Sequence, residues 1–83
     1  MAVLAAYLML TEAAIYEGKQ VSRVDVDTLG NAHLVGISTG LFSKPEIIAV
    51  MERGRLSELD KSWLLENALP GQSFILDRVL SKL

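Results

Sequence analysis

The sequence predicts an α+β fold in a single small domain: an apolar N-terminal helix, then a β-hairpin, then two or three short helices. Three observations carry that expectation. Residues 1–10 read Met-Ala-Val-Leu-Ala-Ala-Tyr-Leu-Met-Leu, uncharged and rich in strong helix formers. Residues 20–38 alternate apolar and polar side chains about Gly30-Asn31. Ser43-Lys44-Pro45-Glu46 has the form of a capping box, with proline in the first helical turn. With 83 residues, 51% hydrophobic and 22% charged, the chain is expected to form one globular domain over 1–83.

Helix one is expected over residues 2–16, with Gly18 as its stop. Its first half is apolar on every side, and such a helix must be buried on every side. A small domain has little interior to offer. A second copy of the chain is the expected cover, with Val3, Leu4, Tyr7 and Leu8 at the interface.

Val24 and Val26 alternate with Arg23, Asp25 and Asp27, which predicts a strand over 20–27 and its partner over 32–38. A two-residue Gly30-Asn31 turn would pair Thr28 with His33, Val26 with Val35 and Val24 with Ile37. His33, Val35 and Ile37 then share the apolar face with the two valines, and Arg23, Asp25 and Asp27 face away. A lone hairpin is marginal in water. Its open edges give a second reason to expect intersubunit sheet or helix packing.

Helix two is expected over 44–53, with Phe42 and Ile47 as a hydrophobic staple, Ile47, Val50 and Met51 as its buried stripe, and Gly54 as its end. Ser57 with Asp60 opens helix three over 58–68, which carries Leu59, Trp63, Leu64 and Leu65. Trp63 fits a core position or an interface anchor equally well. Pro70-Gly71 breaks the chain, and Ile75, Leu76, Val79 and Leu80 predict a last helix over 73–82.

Ser43-Lys44-Pro45-Glu46-Ile47-Ile48 with Met51-Glu52-Arg53-Gly54 resembles the later part of a Krüppel-associated box, a repression module of zinc-finger proteins. Met1 to Arg23 has no counterpart to that module's corepressor-contacting half, and no family is assigned on this basis.

Composition narrows the function classes. Ten acidic residues against eight basic ones give a formal charge of −2, and lysines and arginines nowhere cluster, which argues against a nucleic-acid partner. The absence of cysteine removes disulfides, thiolate chemistry and cysteine-ligated zinc, and favours a cytoplasmic setting. The first basic residue is Lys19, and Thr11-Glu12 ends the apolar run, so neither a signal peptide nor a membrane span is expected.

The candidate chemistry is sparse. His33, the one histidine, suits a general base or a pH-sensitive contact. The simpler reading is a hydrogen-bonded, partly buried side chain. Asp25 and Asp27 sit beside Arg23, which favours ion pairing over cation binding. The stretch from Gly36 to Lys44 has the look of an anion cradle, a glycine-containing turn entering a helix N-terminus. Ser38, Thr39, Gly40, Ser43 and Lys44, with His33, Arg53 and Arg55, are its candidate ligands. It is not a P-loop, because three residues separate its glycines and no glycine precedes Lys44. No cofactor, metal site or nucleophile–base pair is expected. The expectation is therefore a non-enzymatic, homo-oligomeric interaction or regulatory protein, an adaptor or inhibitor, whose partner is itself or another protein. The alternative is a small oligomeric binder of an anionic small molecule such as a nucleotide.

Overall fold

The computed structural model describes residues 4–12, 14–37 and 44–80. Its elements follow the order β1 (Leu4–Met9), β2 (Ile15–Tyr16), β3 (Lys19–Gln20), β4 (Arg23–Asp27), β5 (Ala32–Ile37), β6 (Pro45–Met51), α1 (Glu58–Asn67) and α2 (Ser73–Leu80). The fold is a small α+β domain, but it is strand-first and dominated by sheet. A four-stranded sheet in the order β1-β4-β5-β6, antiparallel throughout, forms its centre.

The expected N-terminal helix over 2–16 is not formed. Residues 4–9 are an edge strand, and Ile15–Tyr16 begins a small hairpin with Lys19–Gln20. The reason lies in the period of burial: Leu8 and Leu10 are enclosed while Tyr7 and Met9 are exposed. Alternation of this kind suits a sheet with one covered face, whereas a helix would leave part of the run in water. Pairing with β4 overrides the local preference of Ala, Leu and Met for helix.

Helix two over 44–53 is also absent. Pro45 opens a strand whose residues pair with β5, Ile37 opposite Pro45 and Ala32 opposite Met51. The β-branched Ile47, Ile48 and Val50 fit a pleated surface better than a helix. A bulge interrupts this ladder between Leu34 and Val35.

The β4–β5 hairpin forms, with a different turn and register. Gly30 N–H donates to the Asp27 carbonyl at 3.1 Å, and Asp27 N–H donates to the Asn31 carbonyl at 3.1 Å. This is a three-residue loop, Thr28-Leu29-Gly30, closed by Gly30 at φ +88°. Val26 consequently faces Ala32, Asp25 faces His33 and Val24 faces Leu34. The strands are displaced by an odd number of positions from the expected pairing, so the β5 residues change face. Leu34 and Ala32 join the valines in the core, and His33 moves to the side of Asp25 and Asp27.

Both C-terminal helices lie close to where the sequence places them. Ser57 caps α1 by accepting from Asp60 N–H at 3.1 Å, and Glu58 and Asp60 occupy its positive end. Leu64 of α1 and Val79 of α2 are fully buried against Leu8, Val24, Val26 and Leu34 of the sheet. The helices thus cover one face of the sheet only.

Candidate functional site

The opposite face presents two rows of side chains that cross all four strands. One row is Tyr7, Asp25, His33 and Val50; the other is Met9, Arg23, Val35 and Ile47. Residues opposed in an antiparallel ladder share a face. Arg23, Asp25 and His33 of the two central strands supply a polar stripe beside the buried Val35, and the two edge strands supply apolar flanks. Tyr7, Met9, Ile47 and Val50 are each at least half exposed, as is Ile37 at the end of β5.

The polar groups of the stripe bond one another. Arg23 Nε donates to Asp25 Oδ1 at 2.7 Å and its Nη2 donates to Oδ2 at 3.3 Å, a forked pairing. The same guanidinium lies 5.5 Å from the centre of the Tyr7 ring. The adjacent carboxylate raises the Arg23 pKa further, through the hydrogen bond first and the charge second.

Asp27 anchors the end of the stripe. It is 3% exposed, and its carboxylate accepts from Leu29 N–H at 2.9 Å, Asn31 N–H at 3.0 Å and Asn31 Nδ2 at 3.4 Å. His33 Nε2 lies 2.9 Å from Asp27 Oδ2. Burial pushes the Asp27 pKa up, but these hydrogen bonds, from His33 first, outweigh it and hold the group below the ordinary carboxylate range. The carboxylate is thus ionised and can only accept, so His33 carries its proton on Nε2. Asn31 extends the network to the end of β6 by accepting from Arg53 N–H at 3.0 Å.

The sequence-derived site residues separate into groups. Ser38, Thr39, Gly40 and Ser43, and the interface candidate Val3, lie outside the described residues. Lys44 precedes a strand, and Arg53 and Arg55 follow it, so the helix expected to begin at Lys44 is not formed. His33 is fixed by Asp27 on the uncovered face, on the side opposite to the one expected. Of the interface candidates, Leu4 pairs with Asp27 at the start of β1, Tyr7 is exposed on the uncovered face, and Leu8 is fully enclosed in this chain's own core. Trp63 lies away from this face, on α1, where its Nε1 donates to the Ile15 carbonyl at 2.6 Å. Sequence reasoning missed the partnership of Asp27 with His33, and it missed Met9, Ile37, Ile47 and Val50 as surface residues. The run Leu8-Met9-Leu10 carries no signal for this, since all three are apolar and the alternation appears only in their burial.

Among the described residues no group of three or more histidines and carboxylates is placed to hold a metal ion, and no helix is long and apolar enough to cross a membrane. No protein-family model, curated protein or solved structure matches the chain.

Proposed function

We propose that the chain is a non-enzymatic interaction protein whose uncovered sheet face associates with a second copy of itself. The observation that carries this reading is the pair of apolar flanks, Tyr7 and Met9 on one edge strand and Ile47 and Val50 on the other, around a stripe whose polar groups bond one another. Tyrosine, methionine and arginine are the residue types enriched where proteins meet.

Magnitudes agree with a self-association surface. Side chains of this size at half exposure leave on the order of 100 Å² each open to water, so the five together present roughly 500 Å². At the roughly 65% apolar share found in homodimer interfaces, that corresponds to about 800 Å² per copy, the standard interface size. The edges favour the same place. The β1 edge is closed at Met9 and Leu10 by the chain between α1 and α2, whereas β6, which carries Ile47 and Val50, is the last strand of the sheet. The anionic-ligand reading rested on a helix start at 43–46, where Pro45–Met51 instead forms a strand, and Ser38, Thr39, Gly40 and Ser43 lie outside the described residues.

Light scattering coupled to size-exclusion chromatography tests the proposal. The wild type is expected at twice the 9.1 kDa chain mass or more. The doubly substituted Ile47→Lys, Val50→Lys chain is expected at the single-chain mass with unchanged circular dichroism, because both positions are exposed. A wild type that remains single across the micromolar range overturns the proposal.

A further inference from the structure

On the helix side of the sheet, the β2–β3 hairpin and α1 enclose a cleft of about 430 Å³. Two of its walls are aromatic. The Tyr16 and Trp63 rings stand 5.5 Å apart, centroid to centroid, at 80° to one another, and so form a corner. Leu59 adds apolar surface at the rim, and Glu17, Asp60, Ser62 and Glu66 complete the lining. No lysine or arginine lines it. Leu59, Trp63 and Glu66 follow one another at helical spacing along α1, so a single helix face supplies one wall.

The polar handles of both rings are already used. Tyr16 Oη donates to Asp60 Oδ1 at 3.0 Å, and Trp63 Nε1 donates to the Ile15 carbonyl at 2.6 Å. These bonds tie the hairpin and α1 together and hold the two rings, edge to face, as part of the cleft lining. An aromatic surface carries negative potential on its face and attracts cations there. The neighbouring carboxylates add negative charge of the same sign. The Tyr16 phenol also stays neutral, its pKa pushed up to about 12 by burial and then by Asp60.

We infer that this cleft binds a small organic cation bearing a quaternary ammonium group, held in the Tyr16–Trp63 corner and neutralised by Glu17, Asp60 and Glu66. A quaternary ammonium has no N–H to donate, so it suits a corner whose two aromatic polar groups are already engaged. Its spread charge and methyl surface suit perpendicular aromatic walls. A metal ion would need a converging set of oxygen ligands, which the described residues do not supply. An anion would meet three carboxylates. The inference is independent of the self-association proposed above, since the cleft and the uncovered face lie on opposite sides of the sheet.

Trp63 is the one tryptophan of the chain, so its emission reports directly on the cleft. Titration with tetramethylammonium and with choline is expected to give a saturable change, with a dissociation constant of about 1–10 mM or tighter. The neutral isostere 3,3-dimethylbutan-1-ol, which has choline's shape without its charge, is expected to bind at least about tenfold more weakly, because the ring and carboxylate attraction is lost. Glu17→Gln with Glu66→Gln, at exposed positions that leave the fold intact, is expected to weaken choline several-fold and to reduce its sensitivity to salt. The absence of a saturable response to both cations overturns the inference. An equal response to the neutral isostere also overturns it, since the site would then be merely apolar. A trimethyllysine peptide that binds more than tenfold tighter than choline moves the site from a free small cation to a protein side chain and overturns the small-molecule assignment.

Discussion

Gln72 clasps Met9 from both sides: its Oε1 accepts from Met9 N–H at 2.7 Å, and its Nε2 donates to the Met9 carbonyl at 2.8 Å. The amide side chain takes the place of a neighbouring strand. Leu69 N–H also donates to the Met9 carbonyl, at 3.0 Å, and Thr11 N–H donates to the Asn67 carbonyl at 2.9 Å. Sheet edges with unsatisfied backbone groups invite pairing with other chains. Here the segment linking the two helices satisfies part of the β1 edge and ties the last third of the chain to the first strand.

Gln72→Ala removes both bonds to Met9 and is expected to destabilise the fold by about 1–2 kcal/mol, two ordinary hydrogen bonds. Urea unfolding followed by circular dichroism measures this. The same variant is expected to aggregate faster on heating, because an edge of β1 is uncovered. Gln72→Glu keeps the acceptor for Met9 N–H but sets a carboxylate oxygen against the Met9 and Leu69 carbonyl oxygens, so it is expected to cost at least as much as alanine.

Asp27 makes stability depend on pH. Its folded pKa lies below the ordinary carboxyl value, so its contribution is fully present above about pH 4 and is lost as pH falls through the lower folded value. Asp27→Asn is expected to cost about 2 kcal/mol near neutral pH, since hydrogen bonds to a charged acceptor are replaced by fewer, neutral ones. It is also expected to flatten the acid limb of the stability profile. Urea midpoints at neutral and acid pH, compared between the two proteins, give both numbers. An acid limb that stays as steep in the variant would place the pH dependence on other carboxylates.

The helices were legible because their signals are local. Ser57 caps through Asp60 three positions on, and the apolar spacing that follows needs no knowledge of the rest of the chain. The strands at either end of the sheet were not legible, because local preference pointed the wrong way. Ala5, Ala6, Leu8 and Met9 favour helix, and only their pairing with β4 makes them a strand. Ser43-Lys44-Pro45-Glu46 carries a helix-start pattern, while Ile47, Ile48 and Val50 just beyond it carry the β-branched signal that prevailed. One misread turn had large consequences. Closing the loop at Gly30 rather than at Gly30-Asn31 shifts the register by an odd step and turns His33 from the core face to the face it shares with Asp27. The pairing of Arg23 with Asp25 survived, because both lie on one strand, two residues apart.

Gly36 faces a contact that forbids a side chain. A Cβ placed there would sit 2.8 Å from the Gln20 carbonyl oxygen, a backbone atom of the small hairpin that cannot swing aside. Gly36→Ala is expected to cost about 2 kcal/mol or more, in the range of overpacked sites, by forcing β3 away from β5. Gly30→Ala loses the φ +88° that closes the β4–β5 loop and brings its Cβ within 2.7 Å of Arg53 Cδ and 3.1 Å of the Arg78 carbonyl oxygen, so a loss of about 1–3 kcal/mol is expected there too. The two differ in mechanism, and asparagine separates them. Asn tolerates the left-handed region and so removes the conformational part of the loss at 30, leaving the contacts with Arg53 and Arg78, whereas at 36, where space alone decides, it should only worsen the loss. Thermal unfolding of the four single variants measures the difference.

Tyr16 links alkaline stability to the cleft between the β2–β3 hairpin and α1. Burial, and then the hydrogen bond and charge of Asp60, push its pKa up to about 12. In the unfolded chain the phenol ionises near pH 10. The folded state therefore holds a proton that the unfolded state releases, and the stabilisation is fully present below pH 10 and declines as pH rises towards about 12. Tyr16→Phe removes this loss and is expected to flatten the alkaline limb, at the expense of the 3.0 Å bond to Asp60 near neutral pH. Asp60→Asn keeps an acceptor for the phenol but discards the charge. Its phenol is expected to titrate below the wild-type value yet above pH 10, because burial, the largest cause, remains. Phenolate absorbance during alkaline titration reads both variants. A phenol in Asp60→Asn that titrates unchanged would leave burial alone as the cause and remove Asp60 from the electrostatics of the cleft.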